Sequence, residues 1–297
     1  MDENCDDDES DPEMDIRMVP LFNREESMFF LDLCGGELKI HGKSICIEDG
    51  MNDHAHDTGN RTWDGGIVLS KVLEKHCSNI SSGLHKGGCL QNERNNDLYS
   101  LDVRGSNVLE LGSGTGLLAI VASYLGAKTS YGTDLKYCLP LLEHNIELNK
   151  NHLEENRIFV RELDWFWFSE STLSGRDGIG NKKCGEGRGD TNDAHNKAEA
   201  VLDIPVDIIL AADVVWQEHL LKPFLKTVSM LLGNTRVQPK SQRKCILLYT
   251  DRYPGLKETL LKDITDLGMK YKFYDDYDFV FHVDYRDESM SVMLIYK

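Results

Sequence analysis

The sequence has no CxxC pair. Its eight cysteines (Cys5, Cys34, Cys46, Cys77, Cys89, Cys138, Cys184 and Cys245) are scattered, which argues against both a zinc site and a disulfide framework, so no metal is expected and the thiols are read as reduced. No apolar run approaches the ~20 residues that span a bilayer, and the N-terminus lacks the charged-then-apolar layout of a secretory signal. A soluble, cytoplasmic protein with no membrane partner is the resulting expectation. Basic patches are missing as well. The net charge is −17, so DNA or RNA is a poor partner, whereas a substrate presenting lysines would be attracted.

Much of that charge is local. Residues 2–15 hold nine acidic side chains and no basic one, in a stretch with almost nothing apolar to bury; a disordered acidic tail over residues 1–20 is expected. Residues 21–297 then read as one catalytic domain interrupted near 77–104 and 169–203 by segments rich in Gly, Ser, Asn and charge, expected to loop out as disordered insertions. A monomer is expected.

Between the insertions, short apolar strands alternate with helices. Asn107–Leu111 runs into a glycine turn, and Leu117–Leu125 is a helix closed by Gly126. A strand near 129–133, a helix near 140–149 and a strand at 157–163 follow. Residues 206–212, VDIILAA, form a strand buried on both faces. Leu221, Phe224, Leu225, Val228 and Leu232 share one helix face, with Pro223 expected in the first turn. A fifth strand at 245–250 and a helix at 256–267 stopped by Gly268 come next. The runs Phe279–Val283 and Ser291–Tyr296 read as a closing antiparallel pair. The alternation predicts an α/β fold with a mainly parallel, doubly wound sheet, preceded by a separate hairpin in residues 36–47, GELKIHGKSICI.

Gly112, Gly114 and Gly116 give a GxGxG spacing at the end of the first core strand, where a tight turn lets a ligand lie against bare backbone. A dinucleotide fingerprint would place its last glycine at 117, which is Leu; the spacing favours S-adenosylmethionine over NAD. Asp134, at the tip of the next strand, suits the two ribose hydroxyls. Asp164-Trp165, after the third strand, offers an adenine an acceptor and an apolar wall. Three such features in register after three successive strands form a specific signal.

At these positions the chain resembles the family-16 protein methyltransferases of the seven-β-strand class, over about residues 29–75, 105–168 and 204–297. The likeness is carried by Thr62-Trp63-Asp64-Gly65-Gly66, by VLELGSGTGLLAI from Val108, by Glu162-Leu163-Asp164-Trp165 and by Ala212-Asp213-Val214-Val215-Trp216. It implies a seven-stranded Rossmann-like sheet with an antiparallel last strand, S-adenosylmethionine as cofactor, and a lysine of a non-histone protein as methyl acceptor. It further implies that Trp63 borders the cofactor and that Gly112, Ser113 and Gly114 hold its methionine part. Glu110 would face its ammonium, Asp134 its ribose, Asp164 and Trp165 its adenine, and Ala212 would line the pocket floor. Asp213 and Trp216 are expected to serve methyl transfer. The family's motif after the fourth strand usually ends in Tyr, and Trp216 stands there instead.

Methyl transfer from a sulfonium is an in-line displacement with an excellent leaving group, so alignment and desolvation are the main tasks. The lysine must arrive neutral although its free pKa is about 10.4. Aromatic walls such as Trp216 suit that need through shape and dry cation–π contact. Two alternatives stay open: a small-molecule N-methyltransferase, and a noncatalytic adaptor that has kept the fold. On residue chemistry alone, Asp213 could instead cap the helix that follows it.

Overall fold

The computed structural model describes residues 38–50, 58–78, 100–153, 157–168, 191–239, 242–274, 280–281 and 289–297. The acidic tail and most of the first insertion lie outside these residues.

A two-stranded hairpin, β1 (Leu38–Ile40) and β2 (Lys43–Ile45), pairs Leu38 with Ile45 and Ile40 with Lys43. His41 and Gly42 form its turn with φ of 49° and 75°; positive φ at both central residues matches the twist of a tight hairpin. The hairpin's buried Leu38, Ile40 and Ile45 join the main core rather than forming one of their own.

The main sheet has seven strands. In chain order these are β3 (Asn107–Leu111), β4 (Thr129–Asp134), β5 (Ile158–Glu162), β6 (Ile208–Ala212), β7 (Lys244–Thr250), β8 (Lys270–Phe273) and β9 (Met290–Tyr296), arranged in space as β5-β4-β3-β6-β7-β9-β8. The first five pair in parallel, and β9 lies antiparallel between β7 and β8. The chain builds outward from β3 to β5, then returns to place β6 on the other side of β3. That reversal opens a crevice beyond the carboxyl ends of β3 and β6.

Strand periodicity sorts the core into two layers. Val108, Ile208, Leu210, Ile246, Leu248, Val292 and Leu294 face one side, with helices α1 (Asp64–Ser78) and α2 (Leu117–Tyr124). Leu109, Leu111, Ile209, Ala211, Cys245, Leu247, Met293 and Ile295 face the other, against α4 (Thr191–Leu202), α5 (Glu218–Leu232) and α6 (Leu256–Asp266). Apolar side chains thus leave both faces of each central strand, as parallel strands covered by helices require.

Helix α3 (Leu139–Asn149) ties the hairpin to the sheet. Asn149 exchanges hydrogen bonds with the Cys46 backbone, its Oδ1 accepting from the N–H at 3.0 Å and its Nδ2 donating to the carbonyl at 2.6 Å. Asn145 does the same with Glu48, at 2.9 and 3.0 Å. Each buried amide replaces a missing strand partner.

Four expectations change. The apolar run Phe279–Val283 supplies no partner for the last strand. Of its described residues, Val280 and Phe281 are buried side chains outside any strand, and the Phe281 carbonyl accepts the Lys75 ammonium of α1 at 2.8 Å. The partner is Lys270–Phe273, whose alternate lysines suit an exposed edge. Second, Leu101 and Val103, at the end of the first segment set apart as an insertion, are buried in the core. Third, the end of the second such segment is helix α4; its apolar residues at positions 194, 198, 201 and 202 share a face, and Ala198, Val201 and Leu202 are buried. Small alanines among Asn, Asp and His made that stripe faint. Replacing 191–202 by a Gly-Ser linker should therefore lower the melting temperature by several degrees, about 1.5–3 kcal/mol for each buried Val or Leu side chain lost; an unchanged melting temperature would show that α4 adds no core. Fourth, Pro223 lies in the second turn of α5, where it removes one ladder hydrogen bond.

Candidate active site

The crevice beyond β3 and β6 is a cavity of about 610 Å³. Every residue named from the sequence lines it: Trp63, Glu110, Gly112, Ser113, Gly114, Asp134, Asp164, Trp165, Ala212, Asp213 and Trp216. Its size falls within the range of small-molecule sites.

The floor is the turn after β3. Gly112 and Gly114 have φ of 67° and 51°, a left-handed backbone that side chains oppose. A Cβ at Gly112 would stand 2.8 Å from Val214 Cγ1 and 3.2 Å from the Trp165 ring; one at Gly114 would stand 2.9 Å from the Gly59 carbonyl oxygen. The turn is held from β4: Ser113 N–H donates to the Thr133 carbonyl at 3.0 Å, Thr133 N–H donates to Ser113 Oγ at 2.8 Å, and Gly114 N–H donates to Asp134 Oδ2 at 2.7 Å. Asp134 Oδ1 accepts the Leu135 N–H at 2.7 Å. Burial raises the Asp134 carboxyl above its ordinary range, against the pull of the Gly114 and Leu135 N–H groups and the Cys138 thiol.

Glu110, the fourth residue of β3, is buried, and its Oε2 accepts the Ala119 N–H at 2.9 Å in the first turn of α2. Helix α2 starts from Gly116, which brings no capping side chain, so a carboxyl from the adjacent strand takes the orphan donor. Burial pushes Glu110 up to about 8, despite the Ala119 and Ser113 hydrogen bonds. A folded pKa above the unfolded one means that Glu110's contribution to stability is fully present below about 4.5 and is lost as pH rises through about 8.

The adenine-side features also meet. Asp164 Oδ1 accepts the Phe166 N–H at 2.9 Å, a turn that presents Trp165 inward. Trp165 meets Phe224 of α5 edge-on, ring centroids 5.4 Å apart.

Asp213 does not cap α5, which begins from Gln217. Its backbone is left-handed, φ 55°, and its carboxylate points back across the sheet. Oδ2 accepts the Gly65 N–H at 2.8 Å in the first turn of α1. Oδ1 accepts the Thr250 hydroxyl at 2.6 Å and Arg252 Nη2 at 2.9 Å. A Cβ at Gly65 would lie 2.4 Å from Asp213 Oδ2, which accounts for glycine there.

Sequence reasoning missed several cavity residues. Arg252 bears no motif, and its guanidinium sits over the Trp63 ring, 5.7 Å from the centroid. Thr62 donates to Asp49 through both N–H and hydroxyl, at 2.8 and 2.9 Å, and its hydroxyl meets that of Thr115 at 3.1 Å. Leu135, Tyr137 and Phe166 form an exposed apolar rim; their position one to three residues beyond the two acidic markers was the available signal. His219 lines the cavity too.

Residues 42–176 match a family described as lysine methyltransferase. The lysine methyltransferase match covers the hairpin's second strand, α1 and β3 through β5, which together supply Trp63, the glycine turn, Asp134 and Asp164-Trp165. Among curated relatives, mouse protein N-lysine methyltransferase METTL21A is 28% identical over 59% of this chain and 56% of its own length. Mouse protein-lysine methyltransferase METTL21E is 33% identical over 66% and 59%, and the Saccharomyces cerevisiae protein-lysine N-methyltransferase EFM6 is 28% identical over 66% of each. The chain thus spans between half and two thirds of the length of these relatives.

S-adenosylmethionine is the cofactor of the lysine methyltransferase family. The residues present fit it: bare backbone at Gly112 and Gly114, a buried carboxyl at Glu110, a half-buried one at Asp134, and an indole wall at Trp165.

Proposed function

We propose that this chain is an S-adenosylmethionine-dependent protein-lysine N-methyltransferase acting on a non-histone protein in the cytoplasm. One observation carries the reading: the cofactor markers at Glu110, Gly112–Gly114, Asp134 and Asp164-Trp165 and the Asp213–Trp216 segment line a single cavity. An idle pocket has no physical need for left-handed glycines, a buried carboxyl and aromatic walls held together.

In this reading the cofactor supplies an electrophilic methyl group on a sulfonium. Gly112, Ser113 and Gly114 hold its amino-acid end with Glu110 beside the ammonium, Asp134 takes the ribose hydroxyls, and Asp164 and Trp165 take the adenine. Trp63 and Ala212 close the wall. Trp216 excludes water from the incoming lysine and offers its ring face to the amine. Asp213, its carboxylate already held by Gly65, Thr250 and Arg252, keeps the β6 exit and α1 in register around that lysine. The reduced thiols Cys46, Cys77, Cys138 and Cys245 suit a reducing compartment, and no helix among the described residues is long and apolar enough to cross a membrane.

Purified protein incubated with radiolabelled S-adenosylmethionine and host-cell lysate should label a protein at lysine, identified by mass spectrometry. Label confined to small molecules would favour the small-molecule alternative, and cofactor binding without any label the adaptor. The cavity also predicts proton release. A Glu110 carboxyl with a pKa of about 8 is largely neutral at pH 7, and a cationic ligand beside it favours the charged form. Calorimetry at pH 7 in buffers of different ionisation enthalpy should show up to about one proton released on cofactor binding, and none with Glu110→Gln. Equal release in both proteins would remove Glu110 from the cavity's charge balance.

A further inference from the structure

The cavity wall at the end of β7 holds an ion pair that no part of the family signature assigns. Arg252 Nη2 lies 2.9 Å from Asp213 Oδ1, and the two side chains are 11% and 2% exposed. The same guanidinium covers the Trp63 ring. Arg252, Asp213, Trp63 and Trp216 all line the cavity; Asp213 and Arg252 follow β6 and β7, on the other side of β3 from the ends of β4 and β5 that carry Asp134 and Asp164. The other ionisable side chains that line the cavity among the described residues are Arg61, Glu110, Asp134, Tyr137, Asp164 and His219, with Asp251 next to Arg252 in the chain.

We propose that Arg252 is a positioning residue that masks the Asp213 carboxylate, so that a substrate lysine can sit in the cavity as the neutral amine. The inference rests on the lysine-methyltransferase reading. A carboxylate facing an amine within ~4–6 Å stabilises the protonated form and raises its pKa by about 1–3 units. From a starting value near 10.4, each unit removes about nine tenths of the remaining neutral amine at pH 7. An unmasked Asp213 would bind the ammonium well and leave it unable to attack. Paired with Arg252, it presents a near-neutral dipole while still anchoring α1 through the Gly65 N–H. Because the guanidinium also rests on Trp63, the charge mask and the aromatic wall are set by one side chain.

The test is kcat at saturating labelled protein substrate as a function of pH, which reports groups in the bound complex, alongside S-adenosylmethionine affinity by calorimetry. Arg252→Gln should move the acid limb of kcat up by about one pH unit or more, lowering kcat at pH 7 about tenfold, with cofactor affinity within about twofold. Arg252→Lys, which keeps the charge, should restore most of the wild-type limb. Asp213→Asn, which removes the carboxylate charge from the pair, should move the limb down, and Arg252→Gln/Asp213→Asn should bring it back. A limb unmoved in Arg252→Gln, or no recovery in the double variant, would leave Arg252 a packing residue and overturn the proposal. Should Arg252→Gln fail to fold, the downward shift of Asp213→Asn decides instead, and its absence overturns the proposal equally. A wild-type protein whose acceptor is not lysine overturns the functional reading and this inference together; lysine methylation with an unmoved limb overturns the inference alone.

Discussion

Asp213→Ala is expected to lower the free energy of unfolding by about 3–5 kcal/mol, the range for removing one member of a buried ion pair. The carboxylate is the common acceptor for Gly65 in α1, Thr250 at the end of β7 and Arg252 beyond it, and truncation takes a 2.9 Å carboxylate partner from the buried Arg252 charge. Alanine would also inherit a φ of 55°, a left-handed conformation that Asp tolerates better than Ala. Equilibrium urea unfolding measures the effect through the transition midpoint. A loss below about 1 kcal/mol would mean that the three donors find other acceptors or water, and that the β6 exit is not held in this way.

The largest expected effect on binding comes from Asp134→Ala, which should weaken S-adenosylmethionine affinity by at least about tenfold, since a hydrogen bond to a charged acceptor contributes about 1.5–3 kcal/mol. Two causes act together. The ribose loses its acceptor, and Gly114 loses the carboxylate that holds its N–H at 2.7 Å in a turn with φ of 51°. Asp134→Asn separates them, because its amide oxygen can still take the Gly114 N–H while the charge is gone. Calorimetry on both variants gives the split; an Asp134→Ala affinity within about twofold of wild type would mean that the glycine turn holds its shape unaided and that the ribose lies elsewhere.

What was legible in the sequence follows from how local each signal is. The parallel strands declared themselves through apolar runs such as 206–212, since residues on both faces of a covered strand must be apolar. The cofactor turn was legible because glycine spacing, Asp134 and Asp164-Trp165 each sit at a strand end, and strand ends converge in a doubly wound sheet. Helix α4 was obscured by a stripe of small and medium side chains among Asn, Asp and His. The edge strand Lys270–Phe273 is too short and too charged to stand out, and the apolar run at 279–283 drew the assignment that belonged to it. The Asp213 network was out of reach for a different reason: its partners lie 148 and 39 residues away, and neither Gly65 nor Arg252 shows locally that it faces a carboxylate.

Asn145 gives the hairpin an importance that its distance from the cavity conceals. Its amide donates to the Glu48 carbonyl after the hairpin and also to the Thr115 carbonyl inside the cofactor turn, at 3.0 and 2.9 Å. One α3 side chain is thus a shared mount for a segment that meets no ligand and for the loop that must lie flat beneath one. The hairpin behaves less like an appendage than like a brace. Removing residues 38–48 alone would leave every cavity-lining side chain in the chain and still loosen the floor on which they depend.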